Sequence, residues 1–145
     1  MFPKAADASV PNRIDEIMTD EVHFLAADMS IQDAAQLMAE LDAGALPVGQ
    51  ADDLRGILTD RDVLIRVVAK GRDPAATRVE EVMSTDVMTC RAEDSAEHVI
   101  REMRTRQIRR VPVRDADGRV VGLVGMRALA AAALDAGDDW QGPLR

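Results

Sequence analysis

A chain of 145 residues with 47% apolar content suits one domain or two small ones packed together, and aromatics at 2% leave its core to Val, Leu, Ile, Met and Ala. The net charge of −8 argues against a general nucleic-acid or anionic-membrane surface, while leaving room for a local basic pocket. The lone Cys90 can form no intrachain disulfide, no apolar run approaches the ~18 residues of a membrane span, and residues 1–7 lack the apolar core of a signal peptide. The expectation is a cytoplasmic protein without membrane or nucleic-acid partners.

Residues 1–12, with Pro3 and Pro11 and no clear period, read as a flexible lead-in. Order is expected from Arg13, where Ile14, Ile17 and Met18 share one side of a short helical turn. Val22 to Leu25 reads as extended. Ser30 and Asp33 pair as a helix cap, and Ile31, Ala34, Ala35 and Met38 form the stripe of a helix lying on a core, with Gly44 as its stop. Ala45-Leu46-Pro47-Val48 is a strand, Gln50 to Asp53 a turn, and Leu54 to Leu58 a second strand. A helix over 59–70 closes at Gly71, and residues 71–77 are a linker by composition.

The pattern then begins again. A step of 65 maps Arg13 onto Arg78, Glu16 onto Glu81, Met18 onto Met83, Ser30 onto Ser95, Met38 onto Met103 and Pro47-Val48 onto Pro112-Val113. The stripe recurs as Ala96, Val99, Ile100 and Met103. A turn one residue longer, Asp115 to Gly118, then carries Gly56 onto Gly122. One register held over so many positions is an internal duplication. It predicts an α/β fold of two α+β repeats, 13–70 and 78–134, with a tail over 135–145. Each repeat has too little core to stand alone, so the two are expected to pack sheet to sheet with pseudo-two-fold symmetry and clefts between them.

Gly56-Ile57-Leu58-Thr59-Asp60-Arg61-Asp62 reads as a strand end, a turn and a helix start. Free N–H groups and the positive dipole end suit an anion there, and a hydroxyl and a carboxylate could hold a phosphate and sugar hydroxyls. The same Thr-x-x-Asp is also close to a capping box that many helices carry for stability alone. Asp60 is most simply a dipole partner. Arg109 and Arg110 precede the second Pro-Val strand, and Arg127 opens the last helix. They read either as a basic pocket or as solvated arginines facing the many surface acids. His23 and His98 have no partners at metal-ligand spacing, and no nucleophile is paired with a base, so neither a metal nor an enzyme activity is expected. The methionines read as core and Cys90 as a small buried hydrophobe. Trp140 falls in a polar tail that reads either as docking on a partner subunit or, more simply, as disordered.

From about residue 13 to 134 the chain resembles the CBS-domain family, the regulatory modules named after cystathionine beta-synthase. The tandem repeat, the Ala45-Leu46-Pro47-Val48 and Arg110-Val111-Pro112-Val113 strands and the 56–62 stretch carry the resemblance. The first of these strands together with Thr59-Asp60-Arg61-Asp62 is similar to small stand-alone bacterial members, including hypoxic-response types. The resemblance implies a tandem pair, or Bateman module, that dimerises and binds AMP, ADP, ATP or S-adenosylmethionine between its repeats. It implies Thr59 near the phosphate, Asp62 on the ribose, and adenine against Ala45, Leu46, Val22 and His23. It also implies that a basic residue at Arg109 or Arg110 reaches a phosphate held by the other repeat.

The second repeat departs from this pattern, because Gly125 and Ala128 replace the hydroxyl and the carboxylate, while Gly44 and Ala45 stand where the arginines would be. One competent nucleotide site per chain is therefore expected. Val63, Leu64, Val67 and Val68, with their counterparts Leu129, Ala130, Ala133 and Leu134, are expected to form an exposed homodimer face. The alternative function is a ligand-free dimeric adaptor that binds an unknown protein partner.

Overall fold

The computed structural model describes residues 13–135, with side chains to 132. The lead-in 1–12 and Trp140 lie outside the described residues.

Two helices of equal length carry the duplicated stripe. In α1, Ile31–Leu41, the Ser30 hydroxyl accepts from the Asp33 N–H at 3.1 Å, and Ile31, Ala34 and Met38 are buried. In α4, Ala96–Arg106, Ser95 caps His98 at the same distance, and Ala96, Val99, Ile100 and Met103 are buried. Met38 and Met103 thus occupy matching core positions. Both helices stop earlier than Gly44 suggests. Asp42 and Gln107 take left-handed conformations with φ of 53° and 57°, and their N–H groups bond back to Ala39 and Arg104. The last carbonyls are satisfied there, so the chain turns without a glycine.

Strands β1, Ala45–Gln50, and β2, Asp53–Thr59, pair antiparallel with a bulge between Val48 and Gly49. Of the extended stretch predicted at 22–25, Leu25 makes a parallel bridge to Val48, its N–H donating to the Pro47 carbonyl at 2.9 Å. The duplicate is fuller. A two-residue β3, Cys90–Arg91, runs parallel to β4, Arg110–Arg114, which pairs antiparallel with β5, Val120–Gly125, again with a bulge, between Val113 and Arg114.

The predicted helix 59–70 divides in two. One α turn, α2, Asp60–Val63, continues as a π-helix over Leu64–Val68, with the Ala69 N–H bonded to the Leu64 carbonyl, before Gly71 closes it at φ 68°. Its duplicate is a regular α5, Met126–Asp135. The stretch read as a linker is anchored as well: the Thr77 and Pro74 carbonyls accept from the first N–H groups of α1, and Thr77 is buried with its hydroxyl donating to the Asp73 carbonyl.

The chain forms two compact units, residues 22–87 and residues 13–21 with the segment from 88 onward. Each has its own core. Leu25, Ile31, Met38, Val48, Leu58 and Val67 fill the first, and Ile14, Val99, Met103, Val111, Val124 and Leu129 fill the second. The units are offset from the sequence repeats. The opening turn of repeat one, Ile14–Glu16, packs with repeat two, where Thr19 bridges Leu123. The opening helix of repeat two, α3, Val79–Val82, packs with repeat one, where Ser84 bridges Ile57. Both bridges press backbone against a glycine, Gly122 or Gly56.

Cys90 is buried in the second unit, and burial pushes its thiol up to about 12. Iodoacetamide at pH 8 should leave the native protein unmodified and label it once unfolded. Because the folded value is raised, this group's contribution to stability is intact below the ordinary thiol value and is lost as pH rises toward about 12. Rapid native-state labelling would contradict the packing of β3.

Candidate functional site

The end of the β1–β2 pair in unit 22–87 gathers most of the predicted site. Ala45 stands opposite Thr59, and Leu46 opposite Leu58. The Leu25 segment runs parallel to β1, so Val22 and His23 lie toward its Ala45 end; Val22 is half-buried and His23 exposed. The chain leaves β2 at Thr59 and enters α2 at once, with the Asp60 N–H donating to the Gly44 carbonyl at 2.9 Å.

Thr59 and Asp62 form a complete capping box. The Asp62 N–H donates to Thr59 Oγ1 at 3.0 Å, and the Thr59 N–H donates to Asp62 Oδ2 at 3.0 Å. Asp62 is 8% exposed, a rare state for a carboxylate that lacks partners. Its other oxygen is more loosely held. The Ser84 hydroxyl lies 3.4 Å from Oδ1, and Arg66 Nε lies 3.9 Å from it. Arg66 also donates to the Val82 carbonyl at 3.0 Å, tying this turn to the end of α3. Asp60 and Arg61 are exposed.

Arg66 and Ser84 were not singled out from the sequence. Arg66 was findable, because an acid followed four residues later by an arginine is a helical ion-pair spacing. Ser84 was not, since its approach depends on the Ile57 bridge.

The second unit repeats the backbone of this turn but not its polar groups. Arg110 stands opposite Gly125, and the Met126 N–H donates to the Arg109 carbonyl at 2.8 Å, as Asp60 does to Gly44. The positions of Thr59, Asp62, Arg66 and Ser84 are held there by Gly125, Ala128, Ala132 and Thr19. Arg109, Arg110 and Arg127 gather at this strand-to-helix turn, all exposed. Among the described residues no group of three His, Cys, Asp or Glu is arranged to hold a metal ion, and no helix is long and apolar enough to cross a membrane.

The expected dimer face is corrected in part. Val67 is fully buried, as are Leu129 and Ala130, because these positions point into the two cores. The exposed residues are Leu64, Ile65 and Val68, at 58%, 44% and 62%. The side chains of Ala133 and Leu134 lie outside the described residues.

A pair of mixed α/β units built on one duplicated strand-to-helix turn is the architecture of a regulatory module. The chain belongs to the CBS-domain family, whose model matches residues 14–69 and again 79–135. It is 39% identical over 117 residues to the CBS domain-containing protein YhcV of Bacillus subtilis, covering 81% of this chain and 82% of that one. It is 37% identical over 110 residues to hypoxic response protein 1 of Mycobacterium tuberculosis, covering 75% and 76%. A crystal structure of Hypoxic Response Protein I with two coordinated zinc ions aligns with a TM-score of 0.71 at 35% identity, over 82% of this chain and 97% of that one. A CBS domain pair in complex with 5′-methylthioadenosine and S-adenosyl-L-methionine aligns with a TM-score of 0.75 at 26% identity, over 86% and 96%.

Proposed function

We propose that this CBS pair is a sensor that binds one adenosine-type ligand per chain, AMP, ADP, ATP or S-adenosylmethionine, at the Thr59–Asp62 turn. The observation that carries the reading is the state of Asp62. Its carboxylate is nearly buried in the first turn of α2, with one oxygen fixed by the Thr59 N–H and the other held only by long contacts. A ribose diol is a fitting donor to that second oxygen. Thr59 and Asp60 would face the phosphate, and Ala45, Leu46, Val22 and His23 the adenine. Arg109, Arg110 and Arg127, exposed at the duplicate turn, are the remaining basic candidates for a phosphate. The relative solved with 5′-methylthioadenosine and S-adenosyl-L-methionine supports the ligand class.

A thermal-shift panel of AMP, ADP, ATP, S-adenosylmethionine and adenosine tests this. A ligand bound only to the native state at a hundred times its Kd adds about 2.7 kcal/mol, a shift of several degrees. Arg110→Ala should weaken ATP and AMP more than adenosine. The completeness of the capping box without a ligand favours one other reading, a ligand-free adaptor for a protein partner. A panel with no shift at millimolar ligand selects that reading.

The same proposal includes a homodimer, supported by the exposed Leu64, Ile65 and Val68 on the π-helix. Leu64→Asp with Val68→Asp should leave the melting of the monomer unit intact and make the protein sediment as a monomer.

A further inference from the structure

Resting on the ligand reading above, we propose that Arg66 is a positioning residue of that site and that, with Ser84, it passes ligand occupancy from Asp62 to α3, the opening helix of repeat two. Arg66 touches both ends of this link. Its Nε lies 3.9 Å from Asp62 Oδ1, and its Nη1 donates to the Val82 carbonyl at 3.0 Å and, more weakly, to the Met83 carbonyl at 3.4 Å. Ser84, just past α3, reaches the same carboxylate. Its hydroxyl has one proton to give and stands 3.4 Å from Oδ1 and 3.5 Å from Oδ2. Oδ1, the oxygen left for a ribose hydroxyl, is therefore the one that faces the end of α3. The chain passes from α3 to the other compact unit after Val87.

The duplicate shows that folding alone does not ask for these groups. Ser84 and Ile57 exchange two backbone hydrogen bonds of 2.9 Å, and Thr19 and Leu123 exchange the same pair at the same length in the second unit. There the positions of Asp62 and Arg66 are held by Ala128 and Ala132, so the opening turn docks without a carboxylate or an arginine. The Arg66 side chain is half exposed, and a pair so exposed adds little stability. The second unit has the regular α5 where the first has its π-helix, so the wide turn also belongs to the half that carries Asp62 and Arg66. With Oδ1 pinned by a ribose hydroxyl, the carboxylate stops swinging, and its long contacts to Arg66 and Ser84 become persistent. Helix α3 is then held more firmly. The coupling is reciprocal, so an α3 held less firmly binds ligand less tightly.

Hydrogen exchange of the full chain tests this. It is read at the Met83 and Ser84 amides without ligand and with AMP, ATP or S-adenosylmethionine at concentrations that calorimetry shows to be saturating. In the wild type the ligand should slow these amides on the order of fivefold. Arg66→Ala should melt within a few degrees of the wild type, weaken Asp62-dependent binding by no more than a similar factor, and lose most of the slowing that ligand brings. Ser84→Ala should do the same in smaller measure. An arginine that only braces the fold would instead leave the variant with faster exchange by the same factor in the presence and absence of ligand. That result, or wild-type amides indifferent to a bound ligand, overturns the relay while leaving the binding site in place. A wild-type chain that binds none of these compounds overturns the site and the relay together.

Discussion

Asp62→Ala should lower nucleotide affinity roughly tenfold to a hundredfold and cost the fold about 1–3 kcal/mol. Both effects come from one carboxylate. Its removal leaves the Thr59 N–H without its 3.0 Å acceptor in a part-buried site and leaves Arg66 without its acid. A lost cap costs about 1 kcal/mol, and an unsatisfied part-buried donor about as much again. Asp62→Asn separates the roles. Its amide oxygen can still accept from Thr59, so most of the stability should return. The charge is gone, so ribose binding should stay weak. Calorimetric titration beside thermal melts reads both. An Asp62→Asn protein that binds nucleotide like the wild type would reduce Asp62 to a cap.

Gly56→Ala should be more damaging to the fold, at about 3 kcal/mol. A Cβ on Gly56 would stand 2.7 Å from Met83 Sδ and 2.8 Å from the Ser84 carbonyl oxygen. The methionine can swing aside, but the Ser84 carbonyl is held at 2.9 Å by the Ile57 N–H in a two-way bridge. Relief requires breaking that bridge and shifting α3. Gly122→Ala meets the Met18 side chain more closely, a group that can swing aside, but the backbone more mildly, with the Thr19 carbonyl oxygen at 3.0 Å. Gly71→Ala is the comparator. Nothing lies within 4 Å of its Cβ, and only the φ of 68° is unfavourable, at about 1 kcal/mol. Chemical denaturation should rank the losses Gly56, Gly122, Gly71. Equal losses at Gly56 and Gly71 would mean that the close approach is not what the glycine serves.

The repeat, both capped helices, the paired strands and the Thr59–Asp62 turn were legible because each is set by neighbours in sequence. A Ser-x-x-Asp cap, an apolar stripe or an acid three residues after a threonine needs no long-range information. What escaped the sequence is long-range. The opening turn at Ile14 joins the core that holds Val111 and Leu129, and nothing local says so. The π-helical stretch was invisible for a related reason. Leu64-Ile65-Arg66-Val67-Val68 carries four apolar residues around a single arginine, so its pattern does not say which of them faces inward. Val67 took that place and left Leu64, Ile65 and Val68 outside. Leu129 and Ala130 were expected on the surface because alanine-rich helices look alike on all faces, yet α5 lies against α4 and buries both. At the site, Thr59, Asp62 and Ala45 were named and do come together, whereas Arg66 and Ser84 emerged only from the packing of α3.

The asymmetry between the two halves is the centre of this account: one strand-to-helix turn keeps its hydroxyl, its buried carboxylate and their partners, and its duplicate has Gly125, Ala128, Ala132 and Thr19 in their places. Isothermal titration calorimetry with AMP and ATP counts the consequence directly. One site per chain is the predicted stoichiometry, with its affinity reduced in the Asp62→Asn protein. Two equivalent sites per chain, or no binding of any adenosine compound, would contradict it.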